Sequence, residues 1–145
     1  MSPVENIGKR VKQVRLRQDM TAEDVARELR KQGVPWERAT VAKLENGHRA
    51  SITVTEWLAL AYVLSVSPLH ILVPLDDDAP FRLTPNREIS ALGARRFIRG
   101  FHHLPGMDWR AFLTEVPDSE VIVSEGKTGE WTIRPAEEDD EIAGR

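Results

Sequence analysis

Through the first seventy or so positions, apolar residues recur at helical spacing, and each recurrence is bracketed by its own start and stop signals. Ile7, Val11 and Val14 share one helical face, while Lys9, Arg10, Lys12, Arg15 and Arg17 take the others. Ser2, Pro3 and Glu5 supply the cap, the first-turn proline and the returning carboxylate of a capping box. This helix is predicted to stop near Asp19, with Met20 plugging the core. Thr21 then caps a second helix, Glu23 and Asp24 suit its positive end, and Val25, Ala26 and Leu29 form the buried stripe up to Gly33. A third helix is predicted over residues 36–46. Pro35 fits its first turn, and Gly47 takes the left-handed conformation that ends it. Only Val41 and Leu44, with Ala42 between them, make a greasy edge there, and Glu37, Arg38, Thr40, Lys43 and Asn46 point outward. Such a helix is held by its neighbours while presenting side chains to something else. Thr53 and Glu56 form another capping box, opening a fourth helix with Trp57, Leu58, Leu60, Ala61 and Leu64. Ser67 and Pro68 open a short fifth helix with Leu69, Ile71 and Leu72 inside. Five helices on short connections predict one compact all-α domain over residues 1–75.

Charge sharpens this picture. The chain carries −3 overall, but the sign is unevenly placed: residues 1–73 hold eleven Lys/Arg against eight Asp/Glu, and residues 74–145 hold nine against fifteen. A mildly basic front and an acidic back fit an anion-binding module tied to something else. The chain has no cysteine, which excludes disulfides, thiol catalysis and thiolate metal sites. No run is long enough to span a membrane and no signal peptide is visible, so the expected location is the cytoplasm, in association with the nucleoid.

The order of these elements resembles the XRE-type helix-turn-helix domain of phage repressors and bacterial regulators, from Ile7 to about Val73. The matching residues are Ile7-Gly8, Val11 and Val14-Arg15 in the first helix and Thr21 with Val25-Ala26 in the second. Residues 40–47, TVAKLENG, match the end of the recognition helix, and residues 58–61 and 64–67 match the fourth helix and the start of the fifth. The resemblance implies double-stranded DNA as partner, with helix 36–46 in the major groove. Residues near the start of such a helix reach base edges, which makes Trp36, Glu37, Arg38, Thr40 and Lys43 the candidates. An arginine forks onto guanine, a glutamate accepts from cytosine, and a threonine methyl touches thymine. Trp36 is equally suited to wedge into the core. Asn46, His48 and Arg49 follow where the family grips phosphate, and Thr21 with the first amides of the second helix adds a further phosphate contact. The resemblance also implies a structural ion pair between Arg15 and Glu45, fixing the third helix on the first. Two features depart from the family pattern: Ala22 stands where glutamine is common, and the connection over residues 31–35 is longer than the tightest turns.

Beyond Val73 the composition shifts. Residues 76–80, DDDAP, read as an acidic linker, residues 81–134 as a small α(+β) extension, and residues 135–145 as an acidic disordered tail. Phe81–Thr84 has an extended pattern. Ser90 can cap a helix carrying Leu92, Phe97 and Ile98 as far as Gly100, and Asp108 can cap another with Trp109, Phe112 and Leu113. Alternation over residues 121–124 and 130–134, around the Gly-Lys-Thr-Gly of 126–129, predicts a hairpin. That tetrapeptide lacks the upstream glycine and helix of a phosphate-binding loop and reads as a turn. His102 and His103 are adjacent and share no helix face, so they make no metal site, and no cofactor is expected.

No catalytic constellation stands out, so an enzyme is not expected. The leading expectation is a sequence-specific transcriptional regulator, a repressor acting as a homodimer. The alternatives are an antitoxin, or an interaction module that binds a protein partner through residues 81–134.

Overall fold

The computed structural model describes residues 1–136, and the contacts divide the chain into two compact units, Met1–Arg95 and Arg96–Arg145. The protein is mainly helical, with an N-terminal helical domain and short strands beyond it.

The first unit opens with five helices: α1 (Pro3–Arg17), α2 (Ala22–Lys31), α3 (Arg38–Glu45), α4 (Val54–Leu64) and α5 (Pro68–Leu72). The capping boxes form as their residues predict. Ser2 Oγ accepts from the Glu5 amide at 3.2 Å, Thr21 Oγ1 from Asp24 at 3.0 Å and Thr53 Oγ1 from Glu56 at 3.1 Å. Ile7, Val11 and Val14 meet Val25, Ala26 and Leu29, then Val41, Leu44, Leu60, Leu64 and Ile71, in one buried cluster. α1 and α3 cross closely at Gly8. A Cβ on Gly8 would lie 2.1 Å from the Leu44 carbonyl oxygen, so only glycine allows this crossing. Two side chains of α1 tie down the short α5: Asn6 donates to the Leu72 carbonyl at 2.7 Å and Arg10 to that of His70 at 3.2 Å. Gln18 donates to the Leu64 carbonyl at 2.7 Å, holding the end of α4.

The third helix starts later than expected. It runs over Arg38–Glu45, not 36–46, with Glu37 extended at its N-cap and Asn46 at its C-cap. Pro35 therefore lies in the connection and not in the first helical turn, because Trp36 is pulled inward to 4% exposure among the core side chains.

Residues 76–80 also differ from the expected linker. They lead into an antiparallel hairpin, β1 (Pro80–Thr84) with β2 (Arg87–Ser90), pairing Phe81 with Ile89. Phe81, Ala91 and Ala94 join Leu69 and Val73 in a second buried cluster, so this stretch belongs to the first unit. Arg95, buried, donates to Asp77 and to the Pro74 carbonyl, and the Ala91 amide donates to the Ala79 carbonyl at 2.8 Å. The acidic run is thus fastened by an arginine eighteen positions on. Ser90 Oγ accepts from the Gly93 amide at 3.1 Å at the start of α6 (Ala91–Ile98).

In the second unit, Asp108 Oδ1 caps α7 (Trp109–Thr114), accepting from Arg110 at 2.9 Å and Ala111 at 3.2 Å. Phe97 and Phe112 stack with ring centres 6.0 Å apart. The predicted hairpin is present as β3 (Val121–Glu125) and β4 (Trp131–Pro135), in register Val123 to Ile133. The Gly126–Gly129 stretch is its turn, with Gly129 at φ +83°. From residue 137 onward the expected acidic tail lies outside the described residues.

Candidate nucleic-acid interface

Buried Val41 and Leu44 root α3 in the core and leave Arg38, Ala39, Lys43 and Asn46 exposed. Ala39, Lys43 and Asn46 follow at helical spacing, so they form one outward strip that begins beside Arg38. Arg38 also lines a shallow cleft of about 680 Å³ together with Thr21, Ala22, Glu23, Arg15 and Asp19. The start of α2 and the start of α3 therefore open on the same space. Thr21 is exposed there. Its side chain serves the α2 cap, and its own amide donates to Asp24 at 2.8 Å.

The orientation of α3 is fixed from both ends. Near its C-terminus, Glu45 receives Arg15 in a bidentate pair, Nε to Oε1 at 2.5 Å and Nη2 to Oε2 at 2.9 Å. The two side chains are 13% and 4% exposed, and Arg15 also donates to the Met20 carbonyl at 3.2 Å. The hydrogen bond to Glu45 raises the Arg15 pKa above its ordinary value, so the guanidinium stays charged. At the N-terminal end Arg30 donates to the Trp36 carbonyl at 2.9 Å and to Glu23 at 2.7 Å, and lies 3.5 Å from Glu37. The Glu23 bond raises the Arg30 pKa in the same way. Arg30 is barely marked in the sequence. Its only signal was a basic residue in the last turn of α2, seven positions from an acid.

The expected site residues separate into two groups. Arg38, Lys43, Asn46, His48 and Thr21 are exposed on the α3 side or at the mouth of the cleft. Glu37 is exposed but leans on Arg30, and Thr40 is half-buried with its hydroxyl accepting from the Glu37 amide at 3.4 Å. Trp36 and Arg49 are turned to other work. Trp36 is core, and the Arg49 guanidinium sits 4.7 Å above its ring while pairing with Glu56 at 3.3 Å. Ala39, unnamed by the sequence reading, is exposed beside Arg38 and presents a methyl of the kind that contacts thymine. Among the described residues no group of His, Asp and Glu has the arrangement of a metal site, and no helix is long and apolar enough to cross a membrane.

A helix-turn-helix family model matches residues 11–71 of this chain. Compared with curated proteins and with solved structures, the chain matches none.

Proposed function

With residues 11–71 identified as an XRE-family helix-turn-helix domain, of a generally non-enzymatic family of DNA-binding transcription regulators, we propose that this protein is a sequence-specific repressor. In this reading α3 enters the major groove, and Arg38, Ala39 and Lys43 meet base edges with Glu37 beside them. Thr21, Asn46 and His48 meet phosphates on either side of the groove. Thr40, Trp36 and Arg49 position the helix from behind. The protein acts as a homodimer on two half-sites and represses by occupying the site that polymerase needs.

The observation that carries the reading is the exposed α3 strip that begins beside Arg38, which itself shares a cleft with Thr21 at the start of α2. That places a guanidinium and a helix N-terminus side by side, one suited to guanine and the other to phosphate. The rigid Arg15–Glu45 pair supports it further, since base readout needs a helix held at a fixed angle.

The test is DNA affinity against salt, on genomic fragments that include the DNA upstream of the protein's own gene, for wild type and Arg38→Ala. Wild type is expected to select some fragments with a steep salt slope, of about −0.9 per phosphate neutralised. Arg38→Ala is expected to lose about 1–3 kcal/mol on the selected fragments while keeping its circular dichroism. Equal, weak binding of both proteins to every fragment refutes the reading.

A further inference from the structure

Two arginines of the first unit are buried, and they differ in what neutralises them. Arg95 is 8% exposed and pairs with the Asp77 carboxylate. Arg10 is 9% exposed, and among the described residues no carboxylate pairs with it. Its Nε donates to the His70 carbonyl at 3.2 Å and its Nη1 to Gln13 Oε1 at 2.8 Å, both neutral acceptors. Its Nη2 makes no hydrogen bond among the described residues. Buried charges are ordinarily paired, because a charge taken from water without a partner is costly. Burial, and after it the charge of Arg17, lowers the Arg10 pKa, whereas carboxylates raise those of Arg15 and Arg30. An arginine still keeps its proton, so the Arg10 guanidinium stands as an uncompensated cation.

Arg10 lines a cavity of about 390 Å³ between α1 and the segment over residues 74–80. That size falls within the range of small-molecule sites, about 300–1,000 Å³. Lys9 lines the same cavity and is exposed. Pro74, Leu75 and Pro80 give it an apolar wall, and Asp76 adds one carboxylate. Asp76 is exposed, its Oδ1 accepts from the Asp78 amide at 3.2 Å, and it pairs with neither cation. The side chains thus offer two cations against one carboxylate. Both walls are fastened: α1 is bonded to α5 through Asn6 and Arg10, and Arg95 holds Pro74 and Asp77.

We propose that this cavity binds a small organic molecule with one carboxylate and an apolar body. The carboxylate accepts from Arg10 and Lys9, and the body lies on Pro74, Leu75 and Pro80. A guanidinium without a counter-charge calls for an acceptor-only group, which an ionised carboxylate is. Asp76 on the wall opposes a dianion more than a monoanion, so a single negative charge fits best. A bare inorganic ion would leave the apolar wall unused. The cavity shares no residue with the cleft at Arg38, so the proposal stands independently of the DNA reading.

The probe is benzoate, with benzamide as its uncharged counterpart and acetate as the anion without the body. Titrated into the full-length, isotope-labelled protein, benzoate is expected to move the Arg10 Nε and Leu75 amide resonances saturably, with a Kd of about 1 mM. Benzamide and acetate are each expected to bind about tenfold more weakly, or worse. Arg10→Gln removes the buried cation and is expected to weaken benzoate by about tenfold. Its circular dichroism is followed as well, because Arg10 also holds the His70 carbonyl. Leu75→Glu sets a second carboxylate on the wall, at a residue 52% exposed that belongs to neither buried cluster. It is expected to keep the fold and to weaken benzoate by about tenfold.

No saturable change up to about 20 mM benzoate overturns the proposal. Benzamide binding as well as benzoate overturns it too, since the cation then recognises nothing. Acetate binding as well as benzoate reduces the site to unspecific ion pairing and has the same effect. A Leu75→Glu protein that binds like wild type overturns it whatever becomes of Arg10→Gln. The measurement contains no DNA, so its failure leaves the α3 reading intact, and failure of that reading leaves this site standing.

Discussion

Replacing Gly8 with alanine sets two well-understood effects against each other. Gly8 lies in mid α1, where alanine is the better helix former by about 1 kcal/mol. An added Cβ would meet the Leu44 oxygen at 2.1 Å, the Leu44 carbonyl carbon at 2.8 Å and Glu45 Cα at 3.3 Å. All three atoms are backbone, so no side chain can swing aside, and α1 and α3 have to part. Overpacking of this kind costs typically about 1–3 kcal/mol, and a clash against fixed backbone belongs at the upper end. Parting the helices also stretches the Arg15–Glu45 pair, which spans the same crossing seven residues further along α1. The expected net change is a loss of about 2 kcal/mol, or roughly 10 °C in melting temperature for a domain of this size. Urea unfolding followed by circular dichroism measures it directly. Gly8→Ala as stable as wild type, or more stable by the helix-propensity increment, would mean that α1 and α3 do not cross as described.

Two substitutions at Trp36 and one at Asp24 probe separate parts of the molecule. Trp36→Ala empties a core site and is expected to destabilise by about 3–5 kcal/mol. Trp36→Phe should keep the wild-type choice of DNA fragments, and a changed choice at unchanged stability would return Trp36 to the base-reading set. The third prediction concerns pH. The Thr21 amide, hydrogen-bonded to Asp24, holds that carboxyl below its ordinary value of 3.8. The folded value lies beneath the unfolded one, so the stabilisation is complete above the unfolded value and is lost as pH falls through the folded one. The difference in melting temperature between wild type and Asp24→Asn is therefore largest near neutrality and closes below about pH 3.8. A difference that does not change with pH counts against the capping box.

The five helices were legible because their signals are local. Ser2 with Glu5, Thr21 with Asp24 and Thr53 with Glu56 are each three residues apart, and the apolar spacing of Ile7, Val11 and Val14 needs no knowledge of the fold. The start of α3 was misplaced because Pro35 gives a local helix signal that distant contacts override. Arg30 holds the Trp36 carbonyl, and Arg49 covers the ring. The acidic run read as a linker for the same reason: its composition is polar, but its partner Arg95 lies eighteen residues away. Arg49 looked like a phosphate contact from its place after α3. Its pairing with Glu56 and Trp36 depends on how the loop folds back, which no spacing rule reveals. The Arg15–Glu45 pair, thirty residues apart, was visible only through family resemblance.

The bonds from Asn6 to the Leu72 carbonyl and from Arg10 to that of His70 have a consequence for synthesis. They join residues sixty-six and sixty positions apart, so α1 makes these bonds only once the last turn of α5 is present. Closing a loop of that length costs conformational entropy before the contacts form. On the ribosome, the helical domain therefore cannot finish folding until Leu72 has left the exit tunnel. The residues that follow act first as a tether, giving the domain room to close while the rest of the chain is still being made.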